Sequence, residues 1–348
     1  MTMSDTVAGC LLGTAIGDAL GLAYEGLSRS RGPRLLGPPE RYRLLGRRGL
    51  VSDDTEHTCL VAQSLVASGQ DPDLFDVQMG RRLRTWFLTV PPGIGLATLK
   101  ACLKLCIGFP PSRSGVFSAG NGPAMRAAIV GAAVEDPDRM LELVRRSSRI
   151  THTDPRATDG AVAVALAARL SARRWIPGAE LASEFECQCL PEVGSDMRQA
   201  LEQMLASVRR GQSTREFADA IGCSWGVSGF VMHSVPVALH TWLRTPDDFL
   251  AAVQSVIELG GDTDSAAAIV GGIVGSRVGL AGLPADLLRD LRDWPRSVTW
   301  MTELANQLAA VTEPSRPARL PLLPLVVRNL ALGVVLIAHV FRRWAPPY

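Results

Sequence analysis

The apolar residues of this chain recur with a period close to 3.6, and no alternating run is long enough to suggest a β-strand. This pattern is typical of helices that bury one face or are buried all round. Stretches rich in glycine, proline and asparagine separate the periodic segments. The sequence therefore predicts an all-α fold with helices over residues 6–24, 54–68, 74–88, 123–134, 138–147, 157–172, 196–208, 214–221, 229–243, 247–258, 265–280 and 298–311.

The chain has 348 residues, of which 47% are hydrophobic, enough to bury one large core or two ordinary ones, and this excludes a mainly disordered protein. No internal repeat is present. We expect one compact, single-domain, multi-helix orthogonal bundle over residues 1–315, followed by an apolar C-terminal tail over residues 316–348.

Charge and cysteine content point to an intracellular protein. The formal net charge is +2, and the arginines are scattered, so no sequence-specific nucleic-acid partner is expected. The seven cysteines have no C-x-x-C spacing, which favours free thiols in a reducing cytoplasm. The apolar segment 7–24 lacks a basic start and is interrupted by Asp18, so it predicts a buried helix rather than a signal peptide.

Two acidic corners stand at the starts of predicted helices. "GGDTDSAAAIVGG" (260–272) places Asp262 and Asp264 before a run of small apolar residues, and "SDDT" (52–55) repeats the arrangement. Helix capping explains one carboxylate at each corner but leaves the second without a role. Four carboxylates exceed what one Mg²⁺ ordinarily needs, so the pattern indicates a two-metal site for Mg²⁺ or Mn²⁺.

The first predicted helix carries a third unusual pattern, "GTAIGDALGLAYEG" (13–26). Gly13, Gly17 and Gly21 recur every four residues, which favours close approach of another helix. The same segment holds Asp18 and Glu25, and a buried carboxylate requires a cation or a hydrogen-bond donor.

These three blocks resemble the signature motifs of the ADP-ribosylglycohydrolase family, which includes dinitrogenase-reductase-activating glycohydrolase. Weaker blocks follow in the same order, and the resemblance covers residues 6 to about 280; they are "PPGIGLAT" (91–98), "SAGNGPAMRAA" (118–128), "THTDPRA" (151–157) and "GVSGFVMHSVPVAL" (226–239). The resemblance implies an all-helical fold with a central binuclear metal cleft.

The resemblance also implies roles for the residues of the acidic corners. Glu25 matches a mobile carboxylate near the metals, and the loop over residues 29–49 is expected to move with it. Ser265 and Ser52 stand where many members have threonine, and both keep the hydroxyl. The two Mg²⁺ (or Mn²⁺) ions are expected to be held by Ser52, Asp53, Asp54, Asp262, Asp264 and Ser265.

Substrate contacts are expected from three further places. Gly120, Asn121 and Gly122 precede a predicted helix, whose free N–H groups suit a phosphate, although by themselves they are more typical of an ordinary capped helix. The resemblance places His152 near the ribose or diphosphate, and Phe230 near the adenine, where ring stacking is the physical reason. Both residues are also compatible with purely structural roles.

The chemistry that fits is hydrolysis of the glycosidic bond between ADP-ribose and an acceptor, with Asp54 or Glu25 as acid or base. The expected partner is an ADP-ribosylated protein, linked through arginine or serine, or a small ADP-ribosyl molecule. Two alternatives remain open: a metal-dependent phosphohydrolase that cleaves a nucleotide diphosphate, and a non-catalytic ADP-ribose-binding protein.

The apolar tail lies outside this resemblance. A helix is expected over about residues 326–343, and Pro321, Pro324, Arg328 and His339 disfavour a membrane span. The tail is expected to pack on the domain or, less favourably, to lie on a membrane surface. The sequence does not determine the oligomeric state.

Overall fold

The computed structural model of the protein describes residues 2–343 and 346, and in these residues it contains isolated β-bridges but no strand. The predicted all-α class is confirmed. Four short 3₁₀ helices accompany the α-helices of the described residues, which are α1 (Met3–Gly21), α2 (Arg31–Leu36), α3 (Asp53–Ser68), α4 (Pro72–Phe87), α5 (Leu96–Cys106), α6 (Pro111–Ser114), α7 (Ala128–Ala133), α8 (Pro137–Thr151), α9 (Pro155–Ala172), α10 (Leu181–Cys189), α11 (Ser195–Arg209), α12 (Thr214–Ala220), α13 (Val231–Arg244), α14 (Phe249–Ile257), α15 (Thr263–Val278), α16 (Ala285–Asp290), α17 (Val298–Ala309) and α18 (Leu322–Arg343).

Every segment predicted from the 3.6-residue periodicity contains a helix. One of them, over residues 123–134, is divided into a 3₁₀ turn, Ala124–Arg126, and α7. Helices α2, α5, α6, α10 and α16 were not predicted. They are 4 to 11 residues long, so they hold too few turns for an apolar period to stand out.

Helices α1 and α15 form the buried centre of the molecule and run antiparallel in direct backbone contact. A Cβ atom on Gly13 would lie 2.3 Å from the carbonyl oxygen of Gly271, and one on Gly17 would lie 2.1 Å from that of Ala267. Only glycine permits such an approach at these positions of α1. The glycine spacing therefore brings the C-terminal end of α1 to the N-terminal end of α15.

The predicted C-terminal tail forms α18, which begins at Leu322, four residues before the predicted start, and packs on the rest of the molecule. Its buried side chains include Leu332 and, unusually for so apolar a helix, the polar residues Arg328, Asn329 and His339. Among the described helices, α18 is the one whose length and composition would allow it to cross a membrane. The division of the chain at residue 315 remains a prediction.

Candidate active site

The end of α1 and the starts of α3 and α15 meet at one place. Thr263 at the start of α15 donates its hydroxyl to the carbonyl oxygen of Gly21 at 2.8 Å. The carboxylate of Asp18 accepts hydrogen bonds from the amide of Ser52, at 2.9 and 3.0 Å, and from the amide of Thr55 at 3.2 Å. Asp18 also accepts the Thr55 hydroxyl. It therefore caps the first turn of α3 from a different helix.

The surroundings of Asp18 explain how a carboxylate can be buried in this apolar segment. Burial raises the pKa of Asp18 to about 6, while the hydrogen bonds from Thr55 and Ser52 act in the opposite direction. The sequence predicted a cation or a hydrogen-bond donor for Asp18. The structure provides donors, and they are Ser52 and Thr55 of the first acidic corner.

At that first corner, Ser52 is the N-cap of α3. Its hydroxyl oxygen accepts the amide of Asp54 at 3.2 Å and donates to Asp54 Oδ2 at 2.9 Å. Asp54 and Ser52 are buried, and Asp53 in the same turn is partly exposed. The Ser52 hydroxyl therefore occupies one oxygen of Asp54, and Oδ1, which is also buried, has no hydrogen-bond partner among residues 2–343 and 346.

The second corner is held by the two glycines that precede it. Gly260 and Gly261 have φ values of 74° and 86°, in the left-handed region that favours glycine. Gly261 donates its amide to the carbonyl oxygen of Leu27 at 2.9 Å, and Asp262 donates its amide to that of Val227 at 2.7 Å. A Cβ on Gly261 would lie 2.0 Å from the Val227 oxygen. This loop is thereby fixed between two other segments.

Asp262 occupies the N-cap position of α15, yet its side chain does not cap the helix. Instead, Asn121 donates its side-chain amide to Asp262 Oδ2 at 2.7 Å. Asp264, in the first turn, is buried, and its Oδ1 has no hydrogen-bond partner in the part of the chain that the structure describes. Capping alone therefore does not account for either carboxylate of this corner.

The two corners face each other across a short distance. Carboxylate oxygens of Asp18, Asp54 and Asp264 lie within 4.8 Å of one another. Burial raises the pKa values of Asp53, Asp54 and Asp264 well above the ordinary value for aspartate, and neighbouring carboxylates raise them further. Such a concentration of buried anions favours a bound cation. Asp18 was not among the predicted metal ligands, although its position in an apolar helix had marked it as unusual.

A cleft of about 700 Å³ opens above this cluster. Glu25 lies at its edge, where burial and the nearby Asp262 raise the pKa of Glu25, and Arg343 of α18 lowers it. Helix α18 also contributes Leu332 and Leu336 to the wall, which the sequence did not predict. The predicted site residues that line the cleft are Glu25, Ser52, Asp53, Asp54, Gly120, Asn121, Gly122, His152, Asp262, Asp264 and Ser265.

The predicted phosphate-binding loop differs from expectation. The amide of Asn121 donates to the carbonyl oxygen of Gly229 at 2.9 Å, and that of Gly120 donates to Ser118 Oγ at 3.3 Å. These two N–H groups are therefore engaged within the protein, because the chain turns here to pair with the segment before α13. A Cβ on Gly122 would lie 2.9 Å from the ring of His152, so the glycine admits this ring to the cleft.

Two aromatic side chains lie near the cleft. Phe230 follows Gly229, which lines the cleft, and its ring lies edge-on to His233 and 5.6 Å from the guanidinium carbon of Arg156; its contact with an adenine stays a prediction. Trp225, which was not predicted as a site residue, lines the cleft and is 87% exposed. Its only sequence signal is a tryptophan in the glycine-containing turn "CSWGVSG".

A family model described as ADP-ribosylglycohydrolase matches residues 1–318. This chain belongs to the ADP-ribosylglycohydrolase family. It is a glycohydrolase enzyme. Both the predicted family and the predicted enzyme class are therefore confirmed.

The chain is also similar to individual proteins over most of their length. An uncharacterized protein of Archaeoglobus fulgidus is 33% identical over 317 residues, which are 88% of this chain and 96% of that protein. ADP-ribosylhydrolase ARH3 of Gallus gallus is 28% identical, over 79% of this chain and 86% of its own. A solved structure titled "ADP-ribosylglycohydrolase-related protein complex" has a TM-score of 0.68 and 26% identity, covering 89% of this chain and 99% of that one. Helix α18 begins after the last residue that the ADP-ribosylglycohydrolase model matches.

Proposed function

We propose that the protein is a divalent-metal-dependent hydrolase that cleaves the glycosidic bond between ADP-ribose and an acceptor and releases ADP-ribose. The observation that carries this proposal is the pair of unpartnered buried oxygens, Asp54 Oδ1 and Asp264 Oδ1, contributed by two helix starts to one cleft. An unpartnered buried carboxylate oxygen is costly, and a cation removes that cost.

The residues present fit hard divalent cations, since every donor is an oxygen. Ser52, Asp53, Asp54, Asp262, Asp264 and Ser265 would hold two Mg²⁺ or Mn²⁺ ions. When bound, such ions supply positive charge for the ribose hydroxyls and lower the pKa of a water molecule. Asp18 is assigned a different task, because its oxygens already accept three donors from Ser52 and Thr55.

The remaining residues of the cleft would bind substrate and move protons. Glu25 lies at the edge of the cluster with a raised pKa, which suits a group that exchanges a proton with the leaving group or with water. Burial lowers the pKa of His152 to about 3, so this ring is neutral near pH 7 and would contact the substrate without a positive charge. Trp225 offers the exposed ring on which an adenine could stack.

The substrate would be an ADP-ribosylated protein or a small ADP-ribosyl molecule. ADP-ribosylated arginine and serine are the protein linkages to examine, because both join the acceptor to the same anomeric carbon of the distal ribose.

The proposal is tested with the purified protein, a panel of ADP-ribosyl-arginine, ADP-ribosyl-serine and small-molecule conjugates, and Mg²⁺ or Mn²⁺. We expect free ADP-ribose as the product and loss of turnover with EDTA. Asp54→Asn and Asp264→Asn should abolish turnover and lower the metal stoichiometry, whereas Asp286→Asn, at an exposed carboxylate in α16, should not. Unchanged rates in EDTA would contradict metal dependence, and release of AMP would support the diphosphate hydrolase instead.

A further inference from the structure

Helix α18 has its polar side turned towards the protein and its apolar side towards solvent. Arg328 donates to Glu56 Oε1 at 2.7 Å and to the carbonyl oxygen of Val51 at 2.6 Å. Asn329 donates to the carbonyl oxygen of Thr89 at 3.0 Å, and His339 donates to that of Ala23 at 2.8 Å. These polar side chains therefore face the interior of the protein. An ordinary surface helix instead turns its polar side towards solvent.

The outer side of α18 is apolar along most of its length. Val334 is 68% exposed and Leu323 is 73% exposed. This outer face consists of Leu323, Val327, Leu330, Val334, Ile337 and Phe341, which follow one another at alternating steps of four and three residues. From Leu323 to Phe341 the helix advances by 18 residues, which corresponds to a length of about 27 Å.

The apolar surface continues beyond the helix. Leu88 and Val90 are both exposed, and they flank Thr89, which accepts the hydrogen bond from Asn329. Val90 has a φ of 55°, an unfavourable backbone conformation for a β-branched residue. A monomeric soluble protein rarely exposes a continuous apolar patch of this kind unless something binds there.

Charge distinguishes between two occupants of this surface. Residues 314–348 contain five arginines and no acidic residue, and Arg316, Arg319 and Arg342 are exposed near the two ends of α18. If two copies paired through this face, Arg342 would approach Arg342 of the second copy in a parallel arrangement and Arg319 in an antiparallel one. Neither arrangement supplies an opposing carboxylate from this segment, whereas anionic lipid headgroups do.

We propose that the outer face of α18, together with Leu88 and Val90, binds the surface of an anionic membrane. The helix lies in the plane of the interface, with its apolar side chains among the lipid chains and the exposed arginines at the headgroups. Arg328, Asn329 and His339 stay bound to the protein, so the helix does not cross the bilayer. Because Leu332 and Leu336 of α18 also line the cleft, the cleft lies beside the membrane.

The test is cosedimentation of the full-length protein with vesicles of phosphatidylcholine alone or mixed with phosphatidylglycerol. We expect binding to the mixed vesicles, and at least a tenfold loss of affinity in the double variant Val334→Glu, Ile337→Glu. Replacing Arg316, Arg319 and Arg342 by glutamine should weaken binding roughly fivefold for each arginine removed. The control is Trp175→Glu, at an exposed apolar residue near the C-terminal end of α15, and this variant should bind like the unchanged protein.

Thermal unfolding and sedimentation velocity are measured for each variant, to detect loss of the fold and changes in oligomeric state. If the glutamate variant unfolds, Val334→Ser with Ile337→Ser provides the same comparison without a new charge. Failure of the unchanged protein to bind anionic vesicles overturns the proposal. A dimer that dissociates in the outer-face variants, without any vesicle binding, overturns it in favour of a second copy. Equal binding by the outer-face and Trp175→Glu variants overturns it as well.

Discussion

Arg328 of the C-terminal helix donates a hydrogen bond to Glu56 at 2.7 Å, and Glu56 lies in the first turn of α3 beside Asp53 and Asp54. Arg296 forms an ion pair with the same carboxylate oxygen of Glu56 at 2.8 Å, and Arg328 also pairs with Asp293. All four side chains are buried. A helix outside the matched family region therefore supports the element that carries the first acidic corner.

Arg328→Gln should destabilise the protein by about 3 kcal/mol. The substitution removes the arginine that pairs with the buried Asp293, and it leaves Glu56 paired with Arg296 alone. Urea denaturation gives the free energy of unfolding. Arg319→Gln, at an exposed position before α18, serves as the control and should change it by less than about 0.5 kcal/mol. A loss at Arg328 no larger than that of the control would mean that α18 is not coupled to the fold of the domain.

Asp18→Asn should weaken metal binding about 10- to 100-fold without changing the number of ions bound, because Asp18 orients Ser52 and Thr55 rather than holding a metal. Titration calorimetry with Mn²⁺ measures both quantities. Loss of one whole ion would instead make Asp18 a ligand.

Glu25→Gln should lower kcat by about 100-fold or more while the affinity for ADP-ribose changes little, because the carboxylate serves the proton transfer and not the nucleotide. Glu40→Gln in the exposed loop before α3 is the control. An unchanged kcat would remove Glu25 from the mechanism.

Trp225→Ala should weaken ADP-ribose binding about tenfold or more, since stacking on a base contributes about 1–3 kcal/mol. Phe230→Ala should have a smaller effect, because its ring lies against His233 rather than in the cleft. Fluorescence titration or calorimetry measures both. The reverse order of effects would restore the adenine contact to Phe230.

The pH dependence of stability should report the burial of His240. This ring stacks on Phe217, with centroids 4.8 Å apart, and burial lowers its pKa to about 4. An unfolded histidine titrates near pH 6.5, so the stability that the neutral ring contributes is full above pH 6.5 and is lost as the pH falls towards 4. The difference in unfolding free energy between the unchanged protein and His240→Gln should shrink by about 2 kcal/mol from pH 7 to pH 5. A constant difference would show that the folded protein protonates this ring.

Local patterns were sufficient to predict the long helices and the two acidic corners. The periodicity over residues 54–68 and 265–280 reflects burial on successive turns, and a cap followed by a second carboxylate is a property of neighbours in sequence. Short helices such as α2 and α10 lack enough turns to show this pattern. The engaged amides of Gly120 and Asn121 could not be predicted, since their partners include a residue more than 100 positions away.

The sequence by itself determined which residues are oxygen donors, which helices carry them, and that Gly13 and Gly17 allow another backbone to approach. Only the tertiary structure decided that this backbone is α15, that Asp18 caps α3, and that Trp225 lines the cleft. It also decided that Arg328 and His339, which disfavour a membrane span, face the protein and leave the apolar side of α18 outside. The physical reason is that helix periodicity and capping act between residues a few positions apart, whereas partners for buried polar groups come from segments that only the fold brings together.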